Sequence, residues 1–112
     1  MLFDTHAHLN DEAFAEDLEK VVMRAQKAGV DNIANIGYDL PSSRRAIEIA
    51  KLYSSCYAAV GIHPHEVKDV TEETFDELKK LLQETRVVAV GEIGLDYYRD
   101  LSPRDKQQAV FR

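Results

Sequence analysis

Val87-Val88-Ala89-Val90-Gly91-Glu92 is the stretch that decides the fold. Its four consecutive apolar residues are too few for a helix and lack the alternation of a strand with one wet face. A run of this kind reads as a strand buried on both faces. Strands of that type belong to parallel sheets with helices packed against them, so each should be followed by a helical crossover. Reading outward from Val87, the chain has that rhythm throughout.

Met1 to Thr5 is a short apolar run, and after the turn-like Asn10-Asp11 a helical face carries Leu18, Val21, Val22 and Ala25. Gly29 stands where a glycine would stop that helix. Asn32 to Ile36 reads as the second strand, followed by Gly37. Pro41 lies near the first turn of a second helix, whose inner face is Ala46, Ile49, Ala50 and Tyr53. Tyr57 to Val60 is the third strand, and Gly61 to Val70 reads as a loop. Thr71 caps a third helix with Glu72 and Glu73 in its first turn, where acids oppose the helix dipole favourably. Phe75, Leu78 and Leu82 face inward from it. After the Val87 strand, Ser102-Pro103-Arg104-Asp105 starts a fourth helix with Ser102 as cap and Pro103 at the first helical position.

The expected fold class is therefore α/β: four βα units, parallel strands with outer helices, the N-terminal part of a TIM-like (β/α)8 barrel. Each unit takes about 28 residues, against the roughly 250 of a complete eight-unit barrel. The last helix runs through Gln108 to Arg112 with no glycine or proline to end it. Residues 1–112 are thus expected to be the N-terminal half of one barrel, cut within its fourth helix.

The bulk numbers narrow the function classes. A hydrophobic share of 45% and a charged share of 30% suit an ordinary globular protein. No apolar stretch approaches the roughly 20 residues of a membrane span. Asp4, His6 and His8 interrupt the N-terminus before a secretory apolar region could form, so a cytoplasmic location is expected. Cys56 is the single cysteine, which excludes an intramolecular disulfide and a cysteine-based zinc site within one chain. The net charge of −6 argues against a basic groove for nucleic acid. Arg44/Arg45 and Lys79/Lys80 read as solvated helix faces. A phosphodiester substrate would have to be attracted mainly by bound metal.

The residues with chemistry lie at strand ends. His6-Ala7-His8 places two imidazoles two residues apart at the C-terminal end of the first strand, so both can point the same way and grip one cation. Barrel enzymes build their sites at that end. Glu92 follows the fourth strand, where a carboxylate is costly to desolvate unless it is paired or bound to metal. It can bridge two cations, and two-metal sites suit phosphodiester hydrolysis. Gly61-Ile62-His63-Pro64-His65 is a second His-x-His, but Pro64 makes it a loop, so its rings need not share a face. It reads either as a rigid turn or as a substrate-binding pair, with His63 or His65 meeting a phosphate or positioning water. In Ile93-Gly94-Leu95-Asp96-Tyr97-Tyr98-Arg99, Gly91 and Gly94 would allow close backbone approach around Glu92. Asp96 would orient a ligand as an acceptor. Tyr97 and Tyr98 read as loop anchors or base-stacking rings, and Arg99 as a phosphate contact or a solvated side chain. Phosphate loops of Walker or Rossmann type and nucleophile elbows are absent.

Asp4-Thr5-His6-Ala7-His8-Leu9, Ala59-Val60-Gly61-Ile62-His63-Pro64-His65, Val90-Gly91-Glu92-Ile93-Gly94-Leu95-Asp96-Tyr97-Tyr98 and the Ser102-Pro103 helix start resemble, in order, the TatD family of metal-dependent deoxyribonucleases. That family lies within the amidohydrolase-like barrel superfamily. The resemblance implies two divalent metal ions (Mg, Mn or Zn), the first held by His6 and His8, with Glu92 bridging to the second. It implies hydrolysis of DNA, often from the 3′ end. It also implies two further histidines and an aspartate, the ligand or base, from later strands. Those positions would lie beyond residue 112, so no catalytic residue is assigned here and the 112 residues alone are expected to be inactive. Hydrolysis of a C–N or ester bond is the alternative within the superfamily. A non-catalytic assembly module is the alternative outside it, because a half-barrel would leave its first and fourth strands open for self-association.

Overall fold

The structure, a computed structural model, describes all of residues 1–112. Four strands, β1 (Leu2–Ala7), β2 (Val30–Ile36), β3 (Cys56–Val60) and β4 (Val87–Val90), form one parallel sheet in the order β1-β2-β3-β4. Helices α1 (Leu18–Lys27), α2 (Leu40–Leu52), α3 (Glu72–Leu81) and α4 (Arg104–Phe111) follow the strands in turn. No helix is long and apolar enough to cross a membrane.

The core lies between the sheet and α1 to α3. Leu18 and Val22 of α1 meet Ile33, Ile49 and Cys56. Ala46, Ile47 and Ala50 of α2 pack on Ala58 and Val60, with Leu78, Leu81 and Leu82 against their edge. Alternation along β3 sends Cys56, Ala58 and Val60 to the helix side, and all three are fully buried. Their small side chains let α2 lie close on the sheet. Helix starts follow local chemistry. The Asp39 carboxylate accepts the Ser42 N–H at 2.8 Å and the Ser42 hydroxyl accepts the Asp39 N–H at 3.0 Å, so a capping box sets the first turn around Pro41. Gly29, with φ at +92°, ends α1 in the left-handed conformation that glycine adopts without strain.

Three expectations are corrected. β4 is not buried on both faces: Val88 is 58% and Val90 50% exposed. The cause is topological, since β4 has a strand neighbour on one side only and no layer covers the sheet face opposite the helices. β1 is exposed for the same reason, with Leu2 and Phe3 more than half open. Second, Gly61 to Val70 is not simply a loop, because Pro64–Asp69 forms a 3-10 helix. Third, Ser102 does not cap α4. Pro103 holds the N-cap position, and the buried Ser102 hydroxyl donates to the His65 carbonyl at 2.9 Å.

Candidate metal centre

β1 ends irregularly, with a register shift between Asp4 and Ala7 where the Asp4 carboxylate accepts the His6 N–H at 3.1 Å. His6 and His8 meet tip to tip beyond that bend: their Nε2 atoms are 3.3 Å apart and the ring planes cross at 79°. His8 Nδ1 lies 3.0 Å from the Ile36 carbonyl oxygen. A carbonyl only accepts, so Nδ1 carries the proton and Nε2 presents its lone pair, the arrangement that a metal-binding imidazole needs. Two buried asparagines hold this segment. Asn35 accepts the Leu9 N–H at 3.0 Å, and Asn10 donates to the Ile36 and Ser42 carbonyls at 3.1 and 2.9 Å.

Glu92 arrives from β4, at the far side of the sheet. Three inter-strand steps of about 4.8 Å would separate the two strands by ~14 Å, yet Glu92 Oε2 lies 3.6 Å from His6 Nε2. The backbone makes up much of the difference. Glu92 N–H donates to the Gly37 carbonyl at 2.6 Å, so the chain leaving β4 crosses the end of β3. Gly61 is where it crosses. A Cβ there would stand 2.7 Å from the Gly91 carbonyl carbon and 2.8 Å from its oxygen. The close approach expected at Gly91 and Gly94 is thus at Gly61: a Cβ on Gly91 or Gly94 would meet nothing within 4 Å, and Gly94 instead serves a φ of +139°.

His6, His8 and Glu92 each offer one donor atom, all within 4.8 Å of one another. Two ligands about 2.0–2.2 Å from one ion, at a tetrahedral angle, lie roughly 3.3–3.6 Å apart. The 3.3 and 3.6 Å separations fit that spacing, and two imidazoles with one carboxylate are a donor set suited to divalent cations.

The second His-x-His is placed differently. His63 sits beside the three-residue cluster, its Nε2 3.6 Å from the other Glu92 oxygen, Oε1. Its Nδ1 accepts the His65 N–H at 3.0 Å and caps the 3-10 helix. Burial, and then the neighbouring His65, hold the His63 imidazole below its ordinary pKa against the opposing pull of Glu92 and Asp96. His65 turns away and binds the Asp96 carboxylate through Nε2. That bond first, and then the Arg99 N–H, keeps Asp96 below the usual carboxylate range. Asp96 therefore orients His65, not one of the three clustered donors. Tyr97 is an anchor on α4, accepting from Gln108 at 2.6 Å with the Arg104 guanidinium 4.6 Å above its ring. Tyr98 is 96% exposed, and Arg99 is exposed.

His8, His63, His65 and Glu92 line a cleft of about 240 Å³ with Tyr38, Asp11 and Glu66. The motifs in the sequence pass over Tyr38, although it follows the second strand as His8 and Glu92 follow theirs. The same strand-end logic would have found it. Its ring stands edge-on to His8 at 6.1 Å, and burial followed by Asp39 and Asp11 raises its phenol pKa.

A family model described as TatD-related DNase matches residues 3–112. The chain belongs to the TatD-related DNase family. It is 49% identical over 112 residues to the uncharacterized metal-dependent hydrolase YabD of Bacillus subtilis, covering all of this chain and 44% of that one. It is 36% identical over 110 residues to the 3'-5' ssDNA/RNA exonuclease TatD of Klebsiella pneumoniae, covering 98% and 42%. Among solved structures it resembles YJJV, a TatD homolog from Escherichia coli, at 33% identity and a TM-score of 0.89, covering 98% and 43%. The chain thus spans less than half the length of these relatives. The four parallel strands with outer helices are the N-terminal βα units of a TIM-like barrel, as expected from the strand rhythm.

Proposed function

We propose that this chain carries the first ligands of a divalent-metal hydrolase that cleaves phosphodiester bonds in single-stranded nucleic acid, DNA in particular. The convergence of His6 Nε2, His8 Nε2 and a Glu92 oxygen at the spacing of a coordination polyhedron carries the reading. The names of relatives support it, one a metal-dependent hydrolase and one a 3'-5' ssDNA/RNA exonuclease. His6 and His8 would hold one cation, and Glu92, with a second oxygen turned toward His63, is suited to reach another; Mg, Mn and Zn all suit such donors. A bound cation supplies Lewis-acid stabilisation of the charge that builds on the phosphoryl oxygens and activates water for attack. The chain's own residues do the rest. His8 keeps its lone pair aimed inward through the Ile36 carbonyl, Glu92 is carried across β3 into range, and His63 and His65 line the cleft where a phosphate would lie.

Two experiments test the reading. Calorimetric titration of the 112-residue chain with Zn2+ should show stoichiometric binding that is lost in His6→Ala and Glu92→Ala, with far-UV circular dichroism unchanged. In a protein of the relatives' full length, the same substitutions should abolish cleavage of single-stranded DNA. Turnover of amide or ester substrates but not DNA would transfer the assignment to C–N or ester hydrolysis within the superfamily.

The exposed edges favour a second reading for the 112 residues by themselves. β1 and β4 are both unpaired edges, and Leu2, Phe3, Val88 and Val90 stand at least half exposed beside them. Self-association through these edges is the expected consequence. Light scattering after size exclusion tests it, and a concentration-independent monomer would refute it.

A further inference from the structure

We propose that Gln107, on α4, is a positioning residue that fixes the His63 ring as an Nε2–H donor facing Glu92, acting through Asp96, Ser102 and His65. The inference rests on the metal-centre reading for what lies opposite His63, but the relay itself stands on contacts within the chain.

The two His-x-His pairs are locked in opposite tautomers. In the first, His8 gives its Nδ1 proton to a carbonyl and leaves Nε2 bare. In the second, His63 Nδ1 receives the His65 N–H, so the single proton of the neutral ring must sit on Nε2. That Nε2–H points toward Glu92 Oε1 at 3.6 Å. His8 is therefore built as a ligand. His63 is built as a donor facing the cleft beside Glu92, which at 3.6 Å lies beyond hydrogen-bond reach and leaves the Nε2–H free for an oxyanion seated there.

Such a lock requires His65 to stay in place, and the segment between β4 and α4 supplies two ties to it. The Asp96 carboxylate binds the His65 ring, and the Ser102 hydroxyl donates to the His65 carbonyl. The His65 ring in turn stands edge-on against His63 with centroids 4.1 Å apart. Both ties depend on Gln107. Its side chain is 1% exposed and spends all of its near hydrogen bonds on the backbone of these two residues. Oε1 accepts the Asp96 N–H at 2.7 Å, and Nε2 donates to the Asp96 and Ser102 carbonyls at 3.1 and 2.8 Å. A buried amide on an otherwise amphipathic helix costs desolvation unless it is satisfied in this way. Its partners all belong to the two segments that hold His65.

The test reads tautomers directly, without metal or turnover. Long-range proton–nitrogen correlation spectra of the 15N-labelled chain should show His8 as Nδ1–H and His63 as Nε2–H. In Gln107→Leu the two ring nitrogens of His63 should move toward a common averaged shift, while His8 keeps its wild-type pair. Should Gln107→Leu unfold, seen as simultaneous loss of the His8 pattern, Asp96→Asn carries the test. It keeps the backbone partners of Gln107 and removes the charged partner of His65, so His63 should again average. An Nδ1–H tautomer for His63 in the wild type overturns the proposal. So does an unchanged His63 spectrum in a folded Gln107→Leu chain, or in Asp96→Asn. Zn2+ added to the same sample reports separately on the metal reading: His6 and His8 resonances that do not respond would refute that reading, whatever the His63 tautomer.

Discussion

Gly61→Ala places the most specific demand on this structure. The added Cβ would stand 2.7 Å from the Gly91 carbonyl carbon and 2.8 Å from its oxygen, where ordinary contact begins at 3.4 Å. The obstacle is backbone, not a pliable side chain, so the segment leaving β4 must retreat by about 0.7 Å, the step from 2.7 to 3.4 Å. Overpacking of this kind costs about 1–3 kcal/mol, and the Glu92-to-Gly37 hydrogen bond, worth about 0.5–1.5 kcal/mol, lies in the path of the movement. Each kcal/mol lowers Tm by roughly 4–8 °C in a chain near this size. Glu92 moves with its backbone, and ligand distances in metal sites hold to about 0.2 Å. Zinc affinity should therefore fall by about 10–100-fold, as when the support of a ligand is lost. Gly91→Ala is the control, since a Cβ there meets nothing within 4 Å. Thermal unfolding and calorimetric zinc titration of both variants decide the matter. Wild-type Tm and affinity in Gly61→Ala, or equal losses in Gly91→Ala, would refute the crossing as the device that delivers Glu92.

Three further outcomes are expected. Ile49→Ala, at a fully buried position packed between α1, β2 and β3, should cost about 2–5 kcal/mol in urea unfolding with m unchanged. The stability advantage of wild type over Asp96→Asn should be pH-dependent. Because the folded Asp96 titrates below its unfolded value, its contribution is complete above roughly pH 4 and disappears as pH falls through the depressed folded value; a difference that grows as pH falls below roughly 4 would contradict the His65 pairing. Saturating Zn2+ should raise Tm and EDTA should reverse the rise, by about 2.7 kcal/mol of stability at 100 times Kd; no response in differential scanning calorimetry would count against a cation at His6, His8 and Glu92.

Local signals determined much of this protein. The apolar Val87–Val90 run, Gly29 at the end of α1, Pro41 in the first turn of α2 and the acids after Thr71 each act through backbone geometry or near neighbours, so the order and type of elements can be read without coordinates. His6, His8 and Glu92 stand out for a local reason too: metal-ligating side chains at the C-terminal ends of apolar strand runs mark the rim where barrels build their sites. Tertiary structure decided the rest. Whether Val88 and Val90 are covered depends on layers and neighbours that residues 87–90 do not encode. That Glu92 reaches His6 across two intervening strands depends on the missing side chain at Gly61, 31 positions earlier. The proton placement on His8 and His63 is set by which backbone group meets Nδ1, a carbonyl in one case and an N–H in the other. Two His-x-His patterns therefore carry a ring proton on opposite nitrogens, because that proton is placed by the hydrogen-bonding partner that folding brings to the ring.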